Sequence, residues 1–330
     1  MDGFNRGIEK NTRKLYVSTS SIIRLSRIWD ESNCTVCYDA ILLLMIEEHK
    51  MTFPTGKPHV SFSEVKVWKE CSYRHKLAYV DKLDSYEANP YADYGTAVHN
   101  AIENYLKTKQ MNIEACLEEI QQKWVENDYE GEAFVEKMKP NKWYKNDPVA
   151  VWQGWADQTL REFPLFMQLT FPNWELIEAE HQLYEPIEGH DDVKFKGFVD
   201  AMIKTTDAKG KELLWVIDWK TTGKAGWLSK QRRDFLKTAQ VGLYKRYLAR
   251  KLNMPIKDIR CAYVFLKRGG KAPRAIDLFT VSVGPKFIEK ADKMVDSMIK
   301  NVKKGFALKN YNSCRFCPFK QSEHCNGGQW

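Results

Sequence analysis

Asp200, Asp218 and Lys220 are the residues whose types and spacing could do chemistry together. Lys194 to Ile203 reads as a strand with apolar Phe195, Val199 and Ile203, and Glu212 to Trp219 as a second, more buried one. The link Thr205 to Lys211 carries the turn formers Asp207 and Gly210, so the two strands are expected to form a hairpin. Pairing brings Asp200 toward Asp218, and Lys220, two residues further on, projects to the same side as Asp218. Two facing carboxylates repel unless one keeps a proton or a cation sits between them, and oxygen ligands suit Mg or Mn. A cation there polarises a phosphoryl oxygen and lowers the pKa of a bound water, while an ammonium stabilises developing negative charge or orients the water. Taken alone, Asp-x-Lys fits a solvated surface hairpin equally well.

Further motifs surround the hairpin. Tyr94-Gly95-Thr96-Ala97-Val98-His99 opens a helical stretch, and Gln240 and Tyr244, four apart, share one face of the helix Asp234 to Lys251. In this order, with Gly197-x-x-Asp200 and Asp218-x-Lys220, the chain resembles the PD-(D/E)XK nuclease superfamily, and within it the RecB-like branch of AddB, CRISPR-adaptation and phage exonucleases. The resemblance implies a restriction-endonuclease-like α/β (α+β) fold, a mixed central sheet flanked by helices. It implies His99, Asp200 and Asp218 as metal ligands, with Lys220, Gln240 and Tyr244 completing the catalytic set. A neutral imidazole at His99 favours Mn relative to an all-oxygen site. Glu180, on the strand Trp174 to Tyr184, is expected to match the extra acid of many relatives, although Glu178 and Glu185 lie nearby. The activity implied is metal-dependent exonuclease action on single strands or DNA ends, in phage or bacterial recombination, repair or processing, with a processing partner protein. The alternatives are a nucleic-acid-binding module that does not cut and a structural zinc protein.

Cys314, Cys317 and Cys325 form a Cys-x2-Cys-x7-Cys arrangement where no regular element is expected, and such a loop needs a staple. In a reducing compartment the staple is a metal, and Cys71 is the best candidate for the fourth ligand. One cysteine upstream of the motifs and three after them resembles the iron-sulfur subset of RecB-like nucleases, which implies a 4Fe-4S cluster. Four thiolates suit zinc as well, and His324 beside Cys325 would favour it. Cys116 and Cys261 fall in helix and strand patterns and read as buried thiols.

These residues need elements to hold them. Helices are expected at Ser63 to Val80, Tyr94 to Lys107, Ile113 to Asn127 and Val149 to Met167, and a capping box at Ser61 and Glu64. After the strand hairpin come the Asp234 to Lys251 helix, strands at Arg260 to Lys267 and Ala275 to Val283, and the helix Pro285 to Lys303. Short strands and a compact sheet are expected. Residues 1–58 read as an N-terminal extension ending in a linker, Phe53 to Pro58, and 59–330 as the nuclease domain. That domain divides into a helical part (59–170), a catalytic core (171–305) and a cysteine cluster (306–330). Cys34 and Cys37 in the extension read as reduced thiols.

With 51 Lys and Arg against 43 Asp and Glu, the formal charge of +8 is compatible with a phosphate-bearing partner but decides nothing alone. Lys224, Lys230, Arg232, Arg233 and Lys237 form one basic set, and Lys267, Arg268, Lys271 and Arg274 another; both are expected to contact phosphates. Met1 to Tyr16 lacks an apolar core, and the longest apolar run, Ala40 to Ile46, is far short of the about 20 residues that span a bilayer. A cytoplasmic location and no membrane contact are expected.

Overall fold

The computed structural model describes residues 53–83, 88–139, 147–270 and 274–327. Met1 to Tyr16, Cys34, Cys37, Ala40 to Ile46 and Lys271 lie outside them. The strands are β1 (His59–Ser61), β2 (Glu175–Ile187), β3 (His190–Thr206), β4 (Glu212–Thr222), β5 (Ile259–Lys267) and β6 (Ile276–Thr280). The helices are α1 (Phe62–Glu70), α2 (Ser72–His75), α3 (Pro90–Thr108), α4 (Ile113–Glu126), α5 (Glu132–Met138), α6 (Val149–Thr170), α7 (Ser229–Arg232), α8 (Phe235–Lys251) and α9 (Pro285–Lys303). No helix among the described residues is long and apolar enough to cross a membrane.

The six strands form one mixed sheet in the order β1-β3-β4-β5-β6, with β2 also paired to β3. β2 runs antiparallel along β3, from Lys204 back to His190. The other edge of β3 is shared: β1 takes residues 194–196 in parallel, and β4 takes 201–206 in antiparallel register. Residues 197–200 lie between those two partners, so the sheet forks there. β4 leaves β3 and continues beside β5 as far as Thr222.

Helices cover both faces, the arrangement expected of the family. On one side α1, α8 and α9 pack on Phe195, Val199, Val216 and Tyr263; on the other α3, α4 and α6 pack on Ile203, Ile217, Trp219 and Val264. Trp219 is fully buried, its ring 5.4 Å from that of Phe163, which fixes the flanking Asp218 and Lys220 to the opposite face. Burial of each such side chain contributes about 1.5–3 kcal/mol. α3 starts where Asn89 caps the Tyr91 amide with Pro90 at its first position, and α8 starts where Asp234 caps Leu236.

Four expectations are corrected. β2 and β3 are 13 and 17 residues long, not short, because each is paired over most of its length. The segment Phe53 to Pro58 is a packed turn rather than an exposed linker, with Phe53 and Thr55 buried. The helix expected over Ser63 to Val80 breaks at Cys71, which is extended and whose sulfur accepts from the Arg74 amide, starting a second helix. The capping box is half formed: Ser61 accepts from the Glu64 amide at 3.2 Å, but the Glu64 carboxylate turns inward to His75 at 3.0 Å.

Candidate active site

The fork places the chemistry. Asp200 is the last residue of the stretch of β3 that neither β1 nor β4 pairs, and its Oδ2 accepts the Trp219 amide of the departing β4 at 2.8 Å. Lys220 Nζ stands 2.6 Å from Asp218 Oδ2. From α3, His99 Nδ1 comes within 3.9 Å of Asp200 Oδ2. Gly95 permits that approach, since a Cβ on it would meet Thr221 Oγ1 at 3.1 Å. Glu180 on β2 lies across from Asp200, because the ladder pairs Ala179 with Ala201 and His181 with Val199. Its φ of +53° is a strained left-handed conformation for a glutamate.

Burial dominates the electrostatics. It raises Asp200 well above its ordinary value, and the Asp218 charge raises it further, against Lys220 and the Trp219 amide. Burial also raises Asp218, opposed by Lys220. For Lys220 burial works downward, but Asp218 and Asp200 outweigh it and hold the ammonium above its ordinary value. His99 is lowered to about 4 by burial and by Lys220, so its imidazole is neutral at physiological pH. Glu180 is raised by burial, then by Glu103 and Asp218.

Gln240 and Tyr244 support the gap from α8. Gln240 Nε2 donates to Tyr244 Oη at 3.0 Å, and the buried phenol also bonds the Phe198 backbone. A Cβ on Gly197 would stand 2.6 Å from Tyr244 Cε1, so glycine lets the ring lie on the strand. The gap in β3 is thus filled by a ring from one side and by the Trp219 amide from the other.

The residues fit a divalent cation. Asp218 is fully buried, its Oδ2 meets only the Lys220 ammonium and its Oδ1 has no hydrogen-bond partner. Lys220 counters the charge at Oδ2 and leaves the buried Oδ1 without a partner, and Asp200 and the neutral His99 offer further donors beside it. Among the described residues no three His, Cys, Asp or Glu side chains stand as a ready-made cage. The family model of the PD-(D/E)XK nuclease superfamily matches residues 59–322.

The chain belongs to this superfamily. PD-(D/E)XK nucleases generally use divalent metals, in keeping with the unpartnered Oδ1 of Asp218. The nuclease chain is also similar to a solved structure from Eubacterium rectale, that of an exonuclease candidate, at 12% identity and a TM-score of 0.45, covering 79% of this chain and 88% of that one. No curated protein matches it.

Elsewhere in the nuclease fold, Cys71, Cys314, Cys317 and Cys325 line one small pocket, with Arg74, Tyr311 and Phe319 around them. Burial raises the Cys317 thiol, which also feels Cys71 and Cys314. The Glu70 carbonyl at the end of α1 accepts from Asn310 Nδ2 and Ser313 Oγ, both at 2.7 Å, tying the C-terminal loop to the helix. His324, the zinc-favouring candidate, does not line the pocket, and its Nε2 lies 3.3 Å from Glu323. Cys116 and Cys261 are buried, each raised to about 12 by burial.

Two basic residues expected at phosphates are otherwise engaged. Arg232 pairs with Asp277 at 2.5 Å, and Arg268 lies over the rings of Tyr91, Tyr94 and Trp152. Two residues missed in the sequence stand near the site. Glu103 is one helical turn beyond His99, a spacing that marks it as a neighbour. Lys66 on α1 is lowered by burial and, against Glu70, by Lys237 and Lys220, and nothing local in the sequence announces it. A groove of about 850 Å³ lies at the far ends of β4 and β5 against Trp215, Lys245 and Arg260, and holds none of the site residues.

Proposed function

We propose that this chain is a metal-dependent DNA exonuclease acting on single strands or DNA ends. The observation that carries the reading is the fully buried Asp218 carboxylate, contacted through one oxygen by the Lys220 ammonium and set at a strand fork beside Asp200 and His99. Asp200, Asp218 and His99 would hold one Mg or Mn. When bound, the cation polarises the scissile phosphoryl group and acidifies water. Lys220 supplies a fixed positive charge to the phosphoryl oxygens as water attacks phosphorus and the bond to the 3′ oxygen breaks, leaving a 5′-phosphate and a 3′-hydroxyl. Glu180, whose carboxyl is raised by burial and by Glu103 and Asp218, would accept the proton of that water. Gln240 and Tyr244 keep the β3 gap, and with it Asp200, in position.

Cys71, Cys314, Cys317 and Cys325 would hold a structural 4Fe-4S cluster or zinc, supported by their shared pocket. The absence of His324 from that pocket favours an all-thiolate site. The setting is phage or bacterial DNA processing in the cytoplasm. The test is digestion of an end-labelled single strand with Mn, with Mg and with chelator, by wild type, Asp218→Ala and Lys220→Ala. Metal-dependent cleavage lost in both variants is expected; wild-type rates from either would overturn the assignment.

A further inference from the structure

The rungs of the β2–β3 ribbon beyond Asp200 form an open, basic and aromatic face that nothing above uses. On β3 the alternate residues Val193, Phe195, Gly197 and Val199 are buried, so Lys194, Lys196, Phe198 and Asp200 share the other face. Their partners on β2 are Pro186, Tyr184 and Gln182, in register with Lys194, Lys196 and Phe198, and Glu180 comes next, across from Asp200. β1 adds His59 beside Lys194 and Ser61 beside Lys196. The nuclease site is therefore the last rung of a ladder that runs away from the fork.

That face is uncovered and unneutralised. Phe198 is 43% exposed, unusual for a phenylalanine on a sheet, and Gln182, Pro186 and Lys194 are exposed as well. Among the described residues neither Lys194 nor Lys196 is paired with a carboxylate. Their ammonium groups lie instead over Tyr184 (4.9 Å) and Phe198 (5.5 Å). Positive charge also accumulates at the far end, where His59 is lowered by burial, Lys196 and Lys57. Exposed aromatic rings on a sheet, interleaved with lysines, make a surface on which bases stack while cations track a phosphate backbone. Successive rungs are about 6.5 Å apart along a strand. That step suits the repeat of a stretched single strand.

We propose that the substrate strand lies along this face of β3, with a base stacked on Phe198 and phosphates at Lys196 and Lys194, and enters the site at Asp200. This rests on the nuclease reading, narrows its substrate to extended single-stranded DNA and adds the path. Bases inside a duplex are stacked on both faces and leave none for Phe198, so the face favours single strands.

The test is binding without catalysis, so that it stands apart from the nuclease reading. Affinity of the full chain for a fluorescent oligothymidine is measured by anisotropy in chelator, across a salt series, for wild type, Lys194→Gln/Lys196→Gln, Phe198→Ala and Asp218→Ala. Loss of base stacking in Phe198→Ala is expected to weaken binding about fivefold or more. Loss of two phosphate contacts is expected to flatten the plot of log affinity against log salt by about 1.4. Thermal melting and circular dichroism confirm that these surface variants are folded, and Lys196→Gln alone serves if the double variant is not. Unchanged affinity and salt slope in folded variants overturns the proposal, as does an equal loss of binding to a blunt duplex. Failure of Asp218→Ala to abolish cleavage sinks the nuclease reading and leaves this binding result standing.

Discussion

At the residue scale, the charges of the site sit where water screens them poorly. Asp218 has a carboxyl raised by burial, so the folded state holds its proton more tightly than the unfolded chain. Its contribution is destabilising above the raised value, and fades as pH falls toward the ordinary 3.8. In chelator, Asp218→Asn is therefore expected to melt above wild type at pH 8, with the gap closing toward pH 4. Saturating Mn should narrow the gap at pH 8 by stabilising only the wild type. Calorimetric melting curves over that range check both, and a gap that grows toward acid would contradict the burial argument. His99, lowered to about 4 by burial and Lys220, keeps its lone pair throughout the neutral range. His99→Ala is expected to reduce Mn-supported cleavage more than Mg-supported cleavage, because imidazole is the softer donor. Rates in the two metals give that ratio directly, and an unchanged ratio would remove His99 from the ligand set.

At the element scale, the fork in the sheet decides which side chains meet. The sequence showed the β3–β4 hairpin, the Asp-x-Lys strand and the Gln240 helix, because alternation and helical spacing are local properties. It did not show why Gly197 and Asp200 belong together: one accommodates Tyr244, the other takes the Trp219 amide, and both fill a gap created by β1 and β4 sharing one edge of β3. That sharing is a long-range fact, and β1, three residues long, leaves no pattern to read. The break at Cys71 was hidden for the same reason, since its partners at Leu308 and Asn310 lie more than 200 residues away. Gly197→Ala drives a Cβ into Tyr244, and such overpacking costs about 1–3 kcal/mol. A lowered urea midpoint and reduced kcat are expected, and Tyr244→Ala in the same chain should relieve the stability loss while leaving kcat low. Purely additive losses would place the clash elsewhere.

For the whole molecule, the cysteine pocket joins the loop after α9 to the junction of α1 and α2, and α1 in turn carries Lys66 toward the site. The three C-terminal thiols were legible from spacing and Cys71 was expected as the fourth, but that all four line one pocket is a tertiary fact that no local pattern specifies. Cys71→Ser and Cys314→Ser are each expected to lower Tm by roughly 4–8 °C, as for a loss of about 2 kcal/mol, and to abolish bound iron or zinc. Elemental analysis with acid-labile sulfide separates the two metals, and full metal content in either variant would contradict a shared site. The sheet's mixed order and the helices on both faces followed from the order of elements in the chain, whereas the open face of β2 and β3 depended on a register no local pattern specifies. The most direct measurement of the central claim is a Mn(II) titration followed by electron paramagnetic resonance on wild type, Asp218→Ala and Asp200→Ala. One tightly held Mn per chain in the wild type, missing from both variants, is the predicted result. Equal stoichiometry and affinity in all three proteins would contradict it.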